Sequence, residues 1–275
     1  MHVWDGAAKT NDVGSKKELR SELVHTLEGP EDGIEWLKWH PSSTVLVGGS
    51  QDGTCWMWNV PRGRCMQVFS GHGGYVTCGT FSNNGKKLIT GSADSTLRIW
   101  NPQTASSVKI GGGKFHTQAI TCMDMMAGSP LVLSGGEDGL LGITNVMTAK
   151  AVSMLRGNGT SIEALASSSQ LNIAAAGTMN GSILLWDTIK GVLRSQVAAH
   201  SEAITRLVPH PTAPVLFSSS VDGKVKAWDV RSNQCLKTFC GHLEGILDLA
   251  IRADGSLLAT ASEDGSTSIY DVGTF

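Results

Sequence analysis

The sequence predicts an all-β protein assembled from one repeated unit of short strands. Six Asp-Gly-like turns, starting at Asp52, Asp94, Asp138, Asn180, Asp222 and Asp264, are each followed six residues later by a Trp-Asp-like pair. Those pairs, Trp58-Asn59, Trp100-Asn101, Thr144-Asn145, Trp186-Asp187, Trp228-Asp229 and Tyr270-Asp271, recur at spacings of 42, 44, 42, 42 and 42 residues. Between them lie alternating apolar runs broken by Asn, Gly, Asp and Pro, which is the pattern of several short strands per period. A period of this length marks a stack of supersecondary units sharing one continuous core. The 275 residues are therefore read as a single domain, 1–275, with repeats ending near 59, 101, 145, 187, 229 and 271.

At the start of the chain, Met1 to Asp5 reads as the end of a third strand, part of an incomplete unit over residues 1–27. A polar insertion, 6–21, follows it and carries Lys9, Lys16, Lys17 and Arg20; it is expected to be a solvated surface loop, the alternative being a basic docking or localisation segment. The repeat ending near 101 is the clearest. Gly71-His72 opens it, Tyr75–Phe81 alternates as a first strand, and Asn83-Asn84-Gly85 turns. Lys87–Gly91 is a second strand, Ser92–Ser95 turns again, Thr96–Trp100 is a third, and a fourth lies near 106–110. Four-stranded units opened by Gly-His and closed by Trp-Asp are the blades of a β-propeller.

The recurring polar residues have a mechanical reading. His72, Ser92, Asp94 and Trp100 are expected to form a hydrogen-bond chain inside one blade, because a buried indole N–H needs an acceptor and a hydroxyl both donates and accepts. The same roles fall to His200, Ser220, Asp222 and Trp228, and, with Tyr closing, to His242, Ser262, Asp264 and Tyr270. His116 keeps the spacing but has Gly136 where the serine is expected. A Ser-His-Asp arrangement repeated in every blade is a set of fasteners. A catalytic triad is one constellation with its own oxyanion donors.

Bulk properties narrow the function. Hydrophobic residues make up 41% of the chain and charged residues 17%, with a formal net charge of -2, so no global field favours nucleic acid. The six cysteines contain no Cys-x-x-Cys pair and no zinc spacing, and read as reduced thiols of a cytosolic, or also nuclear, protein. No apolar run is long enough to span a bilayer, and Met1–Asp5 is not the start of a signal peptide. Gly111-Gly112-Gly113-Lys114 lacks the spacing and the Ser/Thr of a phosphate loop. No enzyme, cofactor, metal or small-molecule substrate is expected.

These residues resemble the WD40-repeat propellers over essentially the whole chain. The segments Ile34–Pro41, Gly53–Pro61 and Gly241–Asp248, with their paired tryptophans at 36 and 39 and at 56 and 58, are similar to a narrower branch of that family, whose fungal member chaperones a large-subunit ribosomal protein. The family branch is described with eight repeats. Six three-strand blade cores plus a partial blade therefore imply a truncated form of a larger propeller, with exposed edges where strands are missing.

The resemblance also implies where a partner binds: the face carrying the loops that enter each inner strand and the turns between second and third strands. Ile34, Val76, Ile120, Ile162, Ile204 and Ile246 are expected to pack between sheets, so their neighbours point to that face. The candidate protein-binding residues are Glu35, Gln51, Tyr75, Thr77, Thr121, Glu137, Glu163, Met179, Thr205, Leu247 and Glu263. Eighteen positions, these included, carry four glutamates and no Lys or Arg. An acidic rim attracts a basic peptide and repels phosphates. The expected partner is thus a basic segment of a protein, which the resemblance specifies as a ribosomal protein. The alternative is a signalling or cell-migration adaptor that uses the propeller's sides.

Overall fold

The computed structural model describes residues 1–4, 9–13, 16–20, 23–113, 115–168 and 171–273, with side chains described for 1–3 and from 23 onward. Six blades follow one another along the chain. Blade one comprises Ile34–Trp39, Val45–Ser50, Thr54–Asn59 and Arg64–Ser70. Blade two comprises Cys78–Phe81, Leu88–Gly91, Leu97–Trp100 and Ser107–Ile110. Blades three, four and five begin with Ile120–Met125, Ile162–Ser168 and Ile204–Pro209, and each is an antiparallel sheet of four sequential strands. Blade six has three strands among the described residues, Ile246–Ile251, Leu257–Ser262 and Thr267–Asp271.

The expected partial blade is present as a pair of strands, His2–Trp4 against Leu23–Thr26, in the places of a third and a fourth strand. The polar insertion differs from the loop expected of it. It contains the antiparallel strands Lys9–Val13 and Lys16–Arg20, with Val13 opposite Lys16. The Gly-Ser pair between them in sequence is a two-residue hairpin signal. The side chains of Lys9, Lys16, Lys17 and Arg20 lie outside the described residues.

Each core cluster sits between two neighbouring blades. Val47, Phe69, Val76, Leu88 and Trp100 join blades one and two, and Leu133, Ile162, Ala174, Leu184 and Trp186 join blades three and four. The expected inter-sheet position holds at Val76, Ile120, Ile162 and Ile204, all 0% exposed, and at Ile246. Ile34 is the exception at 38%, together with Leu37 and Trp39 on the same strand, because the two strands of the partial blade cover only the outer half of blade one.

The inner strands also depart from strict alternation. A bulge follows the inter-sheet residue in blades one, three, four, five and six, leaving Glu35, Thr121, Glu163, Thr205 and Leu247 as the extra residue. In blade two the ladder starts only at Cys78. Val76 N–H donates instead to Ser50 of the previous blade, and Thr77 N–H to Gly91. A bulge re-aims a side chain and increases local twist, so this one sets the direction of the residues nearest the channel.

Candidate protein-binding rim

One backbone hydrogen bond is repeated in all six blades. The N–H of the residue before the turn acid or amide donates to the carbonyl at the entry of the inner strand: Gln51 to Gly33, Ala93 to Tyr75, Glu137 to Ala119, Met179 to Ser161, Val221 to Ala203 and Glu263 to Gly245, at 2.9–3.0 Å. The bond brings the two predicted rim positions of each blade side by side at one end of the row of blades. All six donor residues are exposed, Met179 at 65%, and so is Tyr75 at 55%.

Four glutamates stand on or beside this rim. Glu137 and Glu263 are donors in the repeated bond, whereas Glu35 and Glu163 occupy bulges of blades one and four. Glu35 accepts a 2.6 Å hydrogen bond from the Gln51 amide, which orients the carboxylate without removing its charge. Among the described residues, none of the four forms a salt bridge with Lys, Arg or His. Glu31, Asp32, Glu202 and Glu244 are exposed in the loops above, and Lys224, also exposed, follows the turn acid of blade five.

Two predicted rim threonines do a different job. The Thr77 hydroxyl donates to the Ile120 carbonyl, and the Thr121 hydroxyl to the Ile162 carbonyl, in each case across to the next blade. They latch blades together, and their hydroxyls are committed to backbone. Thr205 shares a 3.0 Å hydrogen bond with Ser219 in its own blade. Leu247 is 55% exposed.

Lower in the channel, Arg206 pairs with Asp248 of blade six at 2.9 Å. Asp124 accepts from the Ser167 hydroxyl at 2.6 Å, and burial pushes its carboxyl above the usual range despite that bond and the nearby Lys38. Neither group was legible in the turn pattern, since both sit in mid-strand.

Inside the blades the predicted polar chain exists, with a different hydroxyl. The Trp100 indole donates to Thr90 Oγ1 at 2.8 Å, and Thr90 lies 2.7 Å from His72 Nε2. Because Thr90 accepts from the indole, its own proton goes to Nε2, and His72 Nδ1–H donates to Asp94 at 3.1 Å. Blade five repeats this with Trp228, Ser218, His200 and Asp222. Ser92, Ser220 and Ser262 stand outside the chain. Their hydroxyls donate to Gly74, Glu202 and Glu244 and accept the N–H groups of Asp94, Asp222 and Asp264, which clamps each turn to the loop beside it.

Blade six links His242 to Thr260 and Asp264, but Tyr270 does not join. A phenol carries its oxygen at the far end of the ring, and here that oxygen reaches Gly241 while the ring packs against Phe239. Blade three uses Ser134 with His116 and Asp138, where the shortened Gly136 leaves room for the imidazole. Blade four has Ala176 in place of the hydroxyl, and the Trp186 indole turns to the Arg156 carbonyl.

Burial pushes His72 and His200 below the ordinary imidazole range against the pull of their aspartates. Burial alone would raise Asp94, but the Thr96 hydroxyl, the Gly73 amide and His72 outweigh it and hold the carboxyl at about 2. Asp94 is thereby held as an anion committed to its turn. The imidazoles are enclosed, with 0% side-chain exposure, and cannot meet a substrate.

The WD domain, G-beta repeat family matches residues 21–59, 63–101, 111–143, 149–187, 191–229 and 233–271. The chain belongs to the WD40-repeat family. This WD40-repeat protein is 32% identical to human angio-associated migratory cell protein over 191 residues, 64% of this chain and 44% of that protein. It is 26% identical to human striatin over 240 residues, 75% of this chain and 31% of that one. The chain thus spans less than half the length of the curated relatives it matches. Among solved structures, the computationally designed Ika8 protein superposes with a TM-score of 0.77 at 24% identity, covering 91% of this chain and 74% of that one, a likeness of fold alone. WD40-repeat proteins are in general non-catalytic scaffolds for protein interactions.

Proposed function

We propose that this WD40-repeat protein captures a basic segment of a partner protein on its acidic rim, without catalysis, and shields that segment as a chaperone of a ribosomal protein during large-subunit assembly. The observation that carries the reading is the six-fold backbone bond. It supports a rim on which Glu137 and Glu263 stand with Glu35 and Glu163, none in a salt bridge among the described residues, beside apolar Tyr75, Met179, Val221 and Leu247. Unpaired carboxylates beside exposed apolar side chains steer a cationic chain and then hold its aliphatic stems. The cytoplasm, where free thiols persist, is the proposed site of action.

A basic peptide taken from a ribosomal-protein N-terminus tests this by fluorescence anisotropy at rising salt. Affinity is expected to fall as salt rises and to drop at least tenfold in Glu35→Lys/Glu163→Lys. Unchanged affinity in that variant defeats the proposal. A second reading, an adaptor that binds through its sides, is favoured by the exposed apolar residues on outer strands, Met66, Val108, Val152, Val192 and Leu236. Binding there would weaken little with salt.

A further inference from the structure

At the end of the blades opposite the acidic rim, a groove opens between blades one and two. Its floor is Val45, Met57 and Phe81, and Met66 forms one wall from the outer strand of blade one. The turn between the first two strands of blade two supplies Lys86 and Lys87. The hollow measures about 760 Å³, within the range of about 300–1,000 Å³ typical of ligand sites.

Three features define what fits. The floor is apolar, and Met57 on the floor and Met66 on the wall are flexible, polarizable side chains that adapt to different guests. None of the residues lining the groove is Asp or Glu. Among the described residues, neither lysine ammonium has a salt bridge or hydrogen bond, so both charges are available to a guest. Gln67 and Gln103 add amide groups at the walls that can pair with a peptide main chain.

We infer that this groove docks an acidic peptide segment, one bulky apolar side chain on the floor and flanking carboxylates on Lys86 and Lys87. Two lysines beside an apolar floor do not suit nucleic acid, whose affinity comes from neutralising many phosphates. The site is independent of the rim and of opposite sign. It gives the scaffold two faces for two partners of unlike charge.

The test uses a fluorescein-labelled twelve-residue peptide with a central Leu-Phe flanked by glutamates, a copy with glutamine for glutamate, and a copy with lysine for glutamate. The acidic peptide is expected to bind, and its affinity to fall with salt. The glutamine copy and the Lys86→Glu/Lys87→Glu variant are each expected to lose at least tenfold. Lys86→Gln/Lys87→Gln serves if the charge-reversed variant melts early. Glu35→Lys/Glu163→Lys is expected to leave this binding unchanged, which separates it from the rim. Absence of binding overturns the inference. So does equal binding to the lysine variants, tighter binding of the lysine copy, or displacement of the acidic peptide by a single-stranded oligonucleotide.

Discussion

The indole of Trp36 occupies the space that a β-carbon on Gly79 would need. Trp36 leaves the inner strand of blade one, crosses into blade two and donates its N–H to the Val76 carbonyl at 3.0 Å. Gly49 and Gly79 form the two sides of the slot, and a β-carbon on either would overlap the ring.

Gly79→Ala is therefore expected to destabilise the protein by about 1–3 kcal/mol, the usual cost of overpacking a filled site. Gly113→Ala, where an added β-carbon meets nothing within 4 Å, is the control and should stay within about 0.5 kcal/mol of the parent. Urea unfolding followed by tryptophan fluorescence measures both.

Thr90→Val keeps the shape of the side chain and removes the hydroxyl that joins Trp100 to His72. Two buried nitrogens then lose their partner, and the expected loss is about 1–3 kcal/mol. Thr90→Ser should recover most of it. Chemical denaturation of the three proteins side by side gives the answer, and equal midpoints for Val and Thr would refute the assigned network.

Acidification should weaken the fold in two stages. His72 and His200 titrate lower in the folded chain than their ordinary 6.5, so the unfolded state takes up protons first and stability falls as pH drops below about 6.5. Asp94, at about 2 against an ordinary 3.8, contributes stability that is present above 3.8 and lost as pH falls towards 2. Melting temperatures from pH 8 to pH 2 should hold steady down to about 6.5, decline below it, and fall again from 3.8 towards 2, and Asp94→Asn should flatten the lower stage.

Thiol chemistry should divide the cysteines evenly. Burial pushes the Cys78 thiol up to about 12 and raises Cys55 and Cys122 as well, while Cys65, Cys235 and Cys240 are exposed. Iodoacetamide is expected to add three groups to the native protein and six in denaturant, read by intact mass.

Much of this was legible in the sequence. The period of the Trp-Asp pairs placed the blades, and the residue before each turn acid or amide donates the backbone bond that recurs in all six. The hydroxyl was misplaced by two residues for a geometric reason. Residues 90 and 92 share a parity, so alternation cannot separate them; register can. Gly91 pairs with Leu97 and Leu88 with Trp100, which leaves Thr90 as the diagonal neighbour of Trp100 and carries Ser92 beyond reach in the turn. Thr77 and Thr121 were misread because alternation ignores the irregular start of the inner strand, which turns them onto the next blade. The groove at Lys86 and Lys87 joins residues far apart in the chain, and no local pattern announces it.

The bond that builds the rim uses only main-chain atoms, from six donors as unlike as Gln51, Ala93, Glu137, Met179, Val221 and Glu263. Side-chain identity at those places is thus decoupled from folding. Selection, or a protein engineer, is free to rewrite what this surface recognises one residue at a time while the scaffold beneath stays intact.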